Sequence, residues 1–159
     1  MTLPEEHGSR LKFLVRVVQK EQRHLAITDT RLFNAPFTLA QASSLEDNPE
    51  LAERVEAFVG RFGRLQDTVG DKLLPFLLTA LGEKSSSAID NLDRAERLGL
   101  LKSADEWLVI RKLRNQMVHE YVEDLVILTD ALQAGHVYVV ELNAAANNMI
   151  AEIARRGWT

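Results

Sequence analysis

Eight consecutive residues, Arg114-Asn115-Gln116-Met117-Val118-His119-Glu120-Tyr121, concentrate the chemistry of a chain that otherwise reads as amphipathic helix. Arginine presents a permanent cation with a planar fork of donors that suits a phosphate, histidine moves protons near neutral pH, and tyrosine adds a modifiable hydroxyl. In the order R-N-x-x-x-H-x-Y these groups point to chemistry on a phosphodiester.

A helix turns about 100° per residue, so with Arg114 at zero Asn115 points to about 100°, His119 to about 140° and Tyr121 to about −20°. Trp107, Leu108, Arg111 and Val118 fall in the same half, Leu113 and Met117 project to the other side, and Lys112, Gln116 and Glu120 form a polar strip. The expectation is that the Leu113 and Met117 side faces the protomer core while the motif side faces a cleft. Arg114 and His119 lie awkwardly far apart on one helix to meet on one phosphate, unless the helix ends at the histidine or a second copy contributes. A two-fold dimer solves this by placing the same helix from two subunits face to face. Asn115 and His119 are i and i+4, which lets the carboxamide orient the imidazole. Arg111 and Arg114, joined by Arg64 from an earlier helix, can hold an anionic group.

The elements that position this motif are helical. Leu11, Leu14, Val15, Val18, Gln22 and Leu25 recur at helical spacing and predict a helix over residues 9–32, ended by Asn34-Ala35-Pro36. A connector holding one short turn follows. A second helix over residues 49–81 carries a stripe from Leu51 through Phe58, Phe62 and Leu73 to Leu77, with Pro75 as a kink and Gly60, Gly63 and Gly70 as points of close approach. A third covers residues 88–98 and closes on Gly99. A fourth starts near Ala104, where Ser103 and Glu106 match a capping box, and carries the motif near its C-terminal end. A fifth covers residues 125–154, with Gly135 as its weak point, and only residues 137–140 are β-prone. The expected fold is all-α: a single domain over residues 1–159, an up-and-down bundle of four to five antiparallel helices with the third as a shorter addition.

A chain of 159 residues can bury about two-thirds of its unfolded surface in one core. It has no cysteine, which removes disulfides and thiolate zinc sites and fits a reducing cytoplasm. Residues 1–10 are polar and carry no secretory signal, and Asp130, Gln133 and Glu141 interrupt the most apolar C-terminal stretch, so no membrane span is expected. The net charge of −4 argues against coating nucleic acid through a broad basic surface, but leaves room for a local basic cleft. Lys12, Arg16, Lys20 and Arg23 share a helix face, either an ordinary solvated one or a surface for RNA or an acidic partner. No two histidines have metal-site spacing, so neither a metal nor another cofactor is expected.

On Arg114-x4-His119-x-Tyr121, with Asn115 after the arginine and the motif at the end of an expected helix, the chain resembles HEPN-domain proteins of the HepT kind. These are the toxin partners of MNT minimal nucleotidyltransferases in prokaryotic toxin–antitoxin pairs. Outside the motif the resemblance is architectural. It implies a metal-independent endoribonuclease acting on RNA as a homodimer, with the active site between subunits. His119 would then transfer protons and Arg114 bind the scissile phosphate, with Asn115 and Arg111 in support. The RNA 2′-hydroxyl would be the nucleophile, leaving a 2′,3′-cyclic phosphate. Tyr121 matches the position that the MNT-type antitoxin adenylylates, and a nucleotide attached there would pair with Arg114 and occlude the cleft.

Other readings compete. Arg114 and His119 can form an interhelical network that only fixes packing, in a helical adaptor, or the cleft can belong to a non-catalytic HEPN scaffold that binds a nucleotidyltransferase or a nucleotide. Asp67 and Asp71 read as a cation or acid–base pair, or, preferably, as ion-pair partners of Arg64 and Lys72. His7 is expected to be disordered, His24 and His136 to lie at the surface or its boundary, and Trp107 and Tyr138 to pack in the core or an interface.

Overall fold

The computed structural model describes residues 3–119 and 123–158, and every regular element among them is helical. In order these are α1 (Glu5–Leu32), a short α2 (Leu39–Ser43), a 3-10 turn (Leu45–Asp47), α3 (Pro49–Asp67), a π-helical segment (Thr68–Leu73), α4 (Leu74–Ala80), α5 (Ala88–Arg97), α6 (Ala104–His119) and α7 (Leu125–Arg155). The all-α reading holds. α1 starts earlier than its apolar stripe, because Glu5 and Glu6 in its first turn suit the positive end of the helix dipole. His7 is therefore ordered, contrary to expectation, and meets the Phe76 ring edge-on at 5.4 Å.

Pairs of contacts fix the sense of each neighbouring helix. Arg61 donates to Thr28 and Thr68 donates to Glu21, so α3 runs opposite to α1. Gly63 faces Arg114 and Gly70 faces Trp107, which sets α6 antiparallel to α3. Met117 meets Gly135, and Trp107 and Asn148 line one small crevice, which sets α7 antiparallel to α6. Asp29 pairs with His136 and Gln22 with Asn143, which closes the ring from α7 back to α1. The result is a four-helix up-and-down bundle with α1 and α6 on one diagonal, and α5 packed outside on α4 and α6. Leu11, Leu25, Phe58, Phe62, Leu77, Leu132 and Met149 are fully buried at its centre. Each large apolar side chain so buried contributes about 1.5–3 kcal/mol before its ordering entropy is counted.

Two expected defects are accommodated differently. Pro75 does not simply kink one long helix: the chain widens into the π segment just before it, and α4 then starts with Pro75 in its first turn. The backbone stays helical through the junction, with Leu74 N–H donating to the Val69 carbonyl five residues back, so the wide turn falls where the proline ring would crowd a regular one. Gly135 is no weak point, because α7 runs through it and uses the space. Met117 Sδ and Phe58 Cε1 lie 3.4 Å from where a Cβ would stand.

The ends are capped much as the sequence implies. Gly99 has φ +77° and ends α5 in the left-handed region. Ser103 Oγ accepts from Glu106 N at 3.1 Å, and Glu96 Oε1 accepts from Ala104 N at 2.7 Å, together holding the start of α6. The connector is more ordered than one turn. Thr38 and Gln41 form a reciprocal capping box, and Gln133 Nε2 donates to the Phe37 carbonyl at 2.6 Å. Within its 31 residues α7 has an 18-residue stretch with a mean hydropathy of 1.3, long and apolar enough by length and composition to cross a bilayer, where the sequence reading expected no such run. Here its Leu128, Leu132, Val139, Leu142, Met149 and Ile153 stripe lies in the bundle core.

Candidate functional site

Arg114 is held at the seam between α6 and α3. Its Cγ and Nε lie 3.5 Å from where a Cβ on Gly63 would stand, so the glycine lets the guanidinium stem lie flat against α3. Nη2 donates to Asp67 Oδ2 at 3.2 Å and Nη1 to Asn115 Oδ1 at 3.2 Å. Nε is buried and has no hydrogen-bond partner among the described residues. The arginine side chain keeps 30% of its exposure and Asp67 42%, so this ion pair is partly solvated and displaceable.

His119, the last residue of α6, is exposed and shares an open depression of about 370 Å³ with Leu108, Arg111, Lys112, Asn115 and Gln116. Leu108 within it and Val118, the residue before His119, are 37% and 45% exposed. The structure thus brings Arg111, Asn115 and His119 together on one open face, while Arg114 lies round the helix at its edge. Leu113 and Met117 face the core as expected.

Several expected contacts differ. The Asn115 carboxamide oxygen accepts from Arg114, in place of the expected link to His119. Asp67 pairs with Arg114 rather than with Arg64 or Lys72. Arg64 lies back along α3, its Nη2 3.5 Å from where a Cβ on Gly60 would stand, and does not line the depression with Arg111. Trp107, placed by rotation in the motif half, is buried against Gly70. At only about 20° from Arg114 it sits on the boundary, and the core takes a wider arc of α6 than Leu113 and Met117 alone define. Tyr121 and Glu120 lie outside the described residues.

A second polar cluster escaped the sequence reading. Glu21 of α1 accepts from Thr68 Oγ1 of the π segment at 2.8 Å. Burial pushes its carboxyl above the ordinary value, and the Thr68 hydrogen bond with the nearby Arg64 and Lys72 charges opposes that shift only in part. The signal was present: Glu21 is three residues after Val18 and four before Leu25, squarely on the buried stripe. His136 lies at the surface as expected, with partners there that the sequence reading did not foresee. Its Nδ1 lies 2.7 Å from Asp29 Oδ1, and its ring stacks on Phe33 at 4.3 Å.

No protein-family model, curated protein or solved structure matches this chain.

Proposed function

We propose that the protein is a HepT-like toxin of a toxin–antitoxin pair, a metal-independent endoribonuclease whose site forms where two copies meet over the α6 motif face. The observation that carries this reading is the division of α6. The bundle anchors Arg114 at the α3 seam and leaves Leu108, Arg111, Asn115, Val118 and His119 exposed beside it. Exposed apolar Leu108 and Val118 on the same face as the reactive groups favour a surface that another copy covers.

In this reading His119 removes the proton from an RNA 2′-hydroxyl, whose oxygen attacks the adjacent phosphorus and expels the 5′-oxygen, leaving a 2′,3′-cyclic phosphate. Arg114 turns from Asp67 to the phosphate oxygens and balances the charge that grows there. Arg111 adds a second cation to the groove. Adenylylation of Tyr121 by an MNT-type nucleotidyltransferase would silence the site. The test is cleavage of single-stranded RNA by the pure protein in a chelator, lost on Arg114→Ala with folding and dimerisation intact.

The existing engagement of Arg114 with both Asp67 and Asn115 favours one other reading, a non-catalytic scaffold that binds a nucleotidyltransferase or a nucleotide in this groove. That reading predicts nucleotide or partner binding with no cleavage.

A further inference from the structure

A cleft of about 350 Å³ lies between the last turns of α1 and the first two-thirds of α3, apart from the α6 motif. On α3, Glu50, Glu53, Arg54 and Arg61 line it from positions that share one face, and on α1 Thr28 and Arg31 line it. Gly63 and Asp67, which meet Arg114, point more than about 90° away from the centre of that face. Ala57 lies among these residues, and its small side chain is what leaves the space open.

Three arginines in one cleft is an unusual charge distribution in a chain of net charge −4. Arg31 sits in the last turn of α1, where a cation suits the helix dipole, but that accounts for neither Arg54 nor Arg61. Arg61 is fixed in place: its Nη1 donates to the His24 carbonyl at 3.0 Å and to the hydroxyl of buried Thr28. Among the described residues none of the three forms an ion pair within 4 Å, although Glu50 and Glu53 border the same space. The carboxylates therefore stand beside the cations without pairing with them directly, and three arginines against two glutamates leave the lining with one positive charge in excess. Along α3 the lining runs from Glu50 and Glu53 through Arg54 to Arg61, whose guanidinium is pre-oriented.

We infer that this cleft binds a small phosphate monoester bearing hydroxyl groups, of the sugar-phosphate or mononucleotide class. The guanidiniums take the phosphate oxygens, for which their planar donor forks are suited, and Glu50 and Glu53 accept hydrogen bonds from the ligand's hydroxyls. A continuous polyanion is disfavoured, because its next phosphate would meet those carboxylates. The volume falls at the small end of the range of about 300–1,000 Å³ typical of metabolite sites.

The full-length protein, labelled with ¹⁵N, should be titrated to millimolar concentrations with ribose 5-phosphate, inorganic phosphate and ribose in parallel. Ribose 5-phosphate is expected to shift amides around Thr28–Arg31 and Glu50–Arg61 saturably, more tightly than inorganic phosphate, with ribose alone inactive. Arg54→Gln should weaken it at least about tenfold, as loss of a charge-assisted contact implies, and Ala57→Leu should abolish it by filling the floor without changing charge. Arg114→Ala should leave it unchanged, which separates this site from the proposed ribonuclease groove. No saturable shift, or undiminished binding by Arg54→Gln, would overturn the site. Equal affinity for inorganic phosphate and ribose 5-phosphate would overturn the role given to Glu50 and Glu53.

Discussion

Gly63 and Gly70 occupy the seam that α3 and the π segment together make with α6, yet adding one methyl group to each should move stability in opposite directions. At Gly70 an added Cβ would stand 2.9, 3.1 and 3.3 Å from Trp107 Cζ2, Nε1 and Cε2. The indole is rigid and 4% exposed, so it cannot swing aside into solvent. Overpacking of this kind costs about 1–3 kcal/mol, and three crowded ring atoms place it in the upper half of that range. Against it stands the helix-propensity gain of alanine over glycine, at most about 1 kcal/mol and smaller in a π segment. Gly70→Ala should therefore lose about 1–3 kcal/mol, a fall in Tm of about 2–12 °C for a chain of this size. At Gly63 the nearest atoms, Arg114 Cγ and Nε, would be 3.5 Å away, an ordinary van der Waals distance. Gly63→Ala should keep most of the propensity gain and raise Tm by about 1–4 °C. Thermal unfolding followed by circular dichroism measures both. A Gly70→Ala variant as stable as the parent would refute the close α6 approach on which the position of Arg114 depends, as would a Gly63→Ala variant that loses more.

Asp67→Asn should change stability by less than about 1 kcal/mol, since the pair with Arg114 is partly exposed. On the proposed function it should also tighten binding of a non-cleavable single-stranded RNA, read by fluorescence anisotropy; weaker binding would show that Asp67 positions Arg114 rather than competing for it. Glu21 has a raised carboxyl pKa in the fold, so its contribution is fully present below the unfolded value and is lost as pH rises through the raised one. Glu21→Gln should thus be more stable than the parent at neutral pH and indistinguishable from it near about pH 3, in urea titrations at both. Asp124→Ala removes the side-chain oxygen that accepts from Val126 N and Ile127 N, and should cost about 1 kcal/mol in the same assay.

Helix periodicity and end signals made most of the bundle readable in advance. The Leu11-to-Leu25 stripe, Asn48-Pro49, Gly99 and Ser103 each act locally, within a turn or two of the residues they organise. What escaped depends on where helices cross. No local rule says that Gly63 admits Arg114 beside Asp67, that Gly70 seats Trp107, or that Glu21 meets Thr68, because each pair joins residues tens of positions apart. Rotation about α6 separated Arg114 from His119, and Trp107 packs in the core as its residue type led us to expect, although rotation alone put it in the motif half, because a residue on the boundary of two faces is decided by its neighbour across the seam. The π segment was hidden for a similar reason: Pro75 announces a disturbance, and only packing decides whether the helix bends or widens.

The most direct measurement is the product of single-stranded RNA incubated with the parent protein and with His119→Ala in excess EDTA. The proposed chemistry predicts fragments ending in a 2′,3′-cyclic phosphate from the parent, and a rate lower by about 10²–10⁴ from His119→Ala, the usual contribution of a positioned acid–base group. Equal cleavage by His119→Ala, or cleavage that stops when divalent cations are removed, would contradict it.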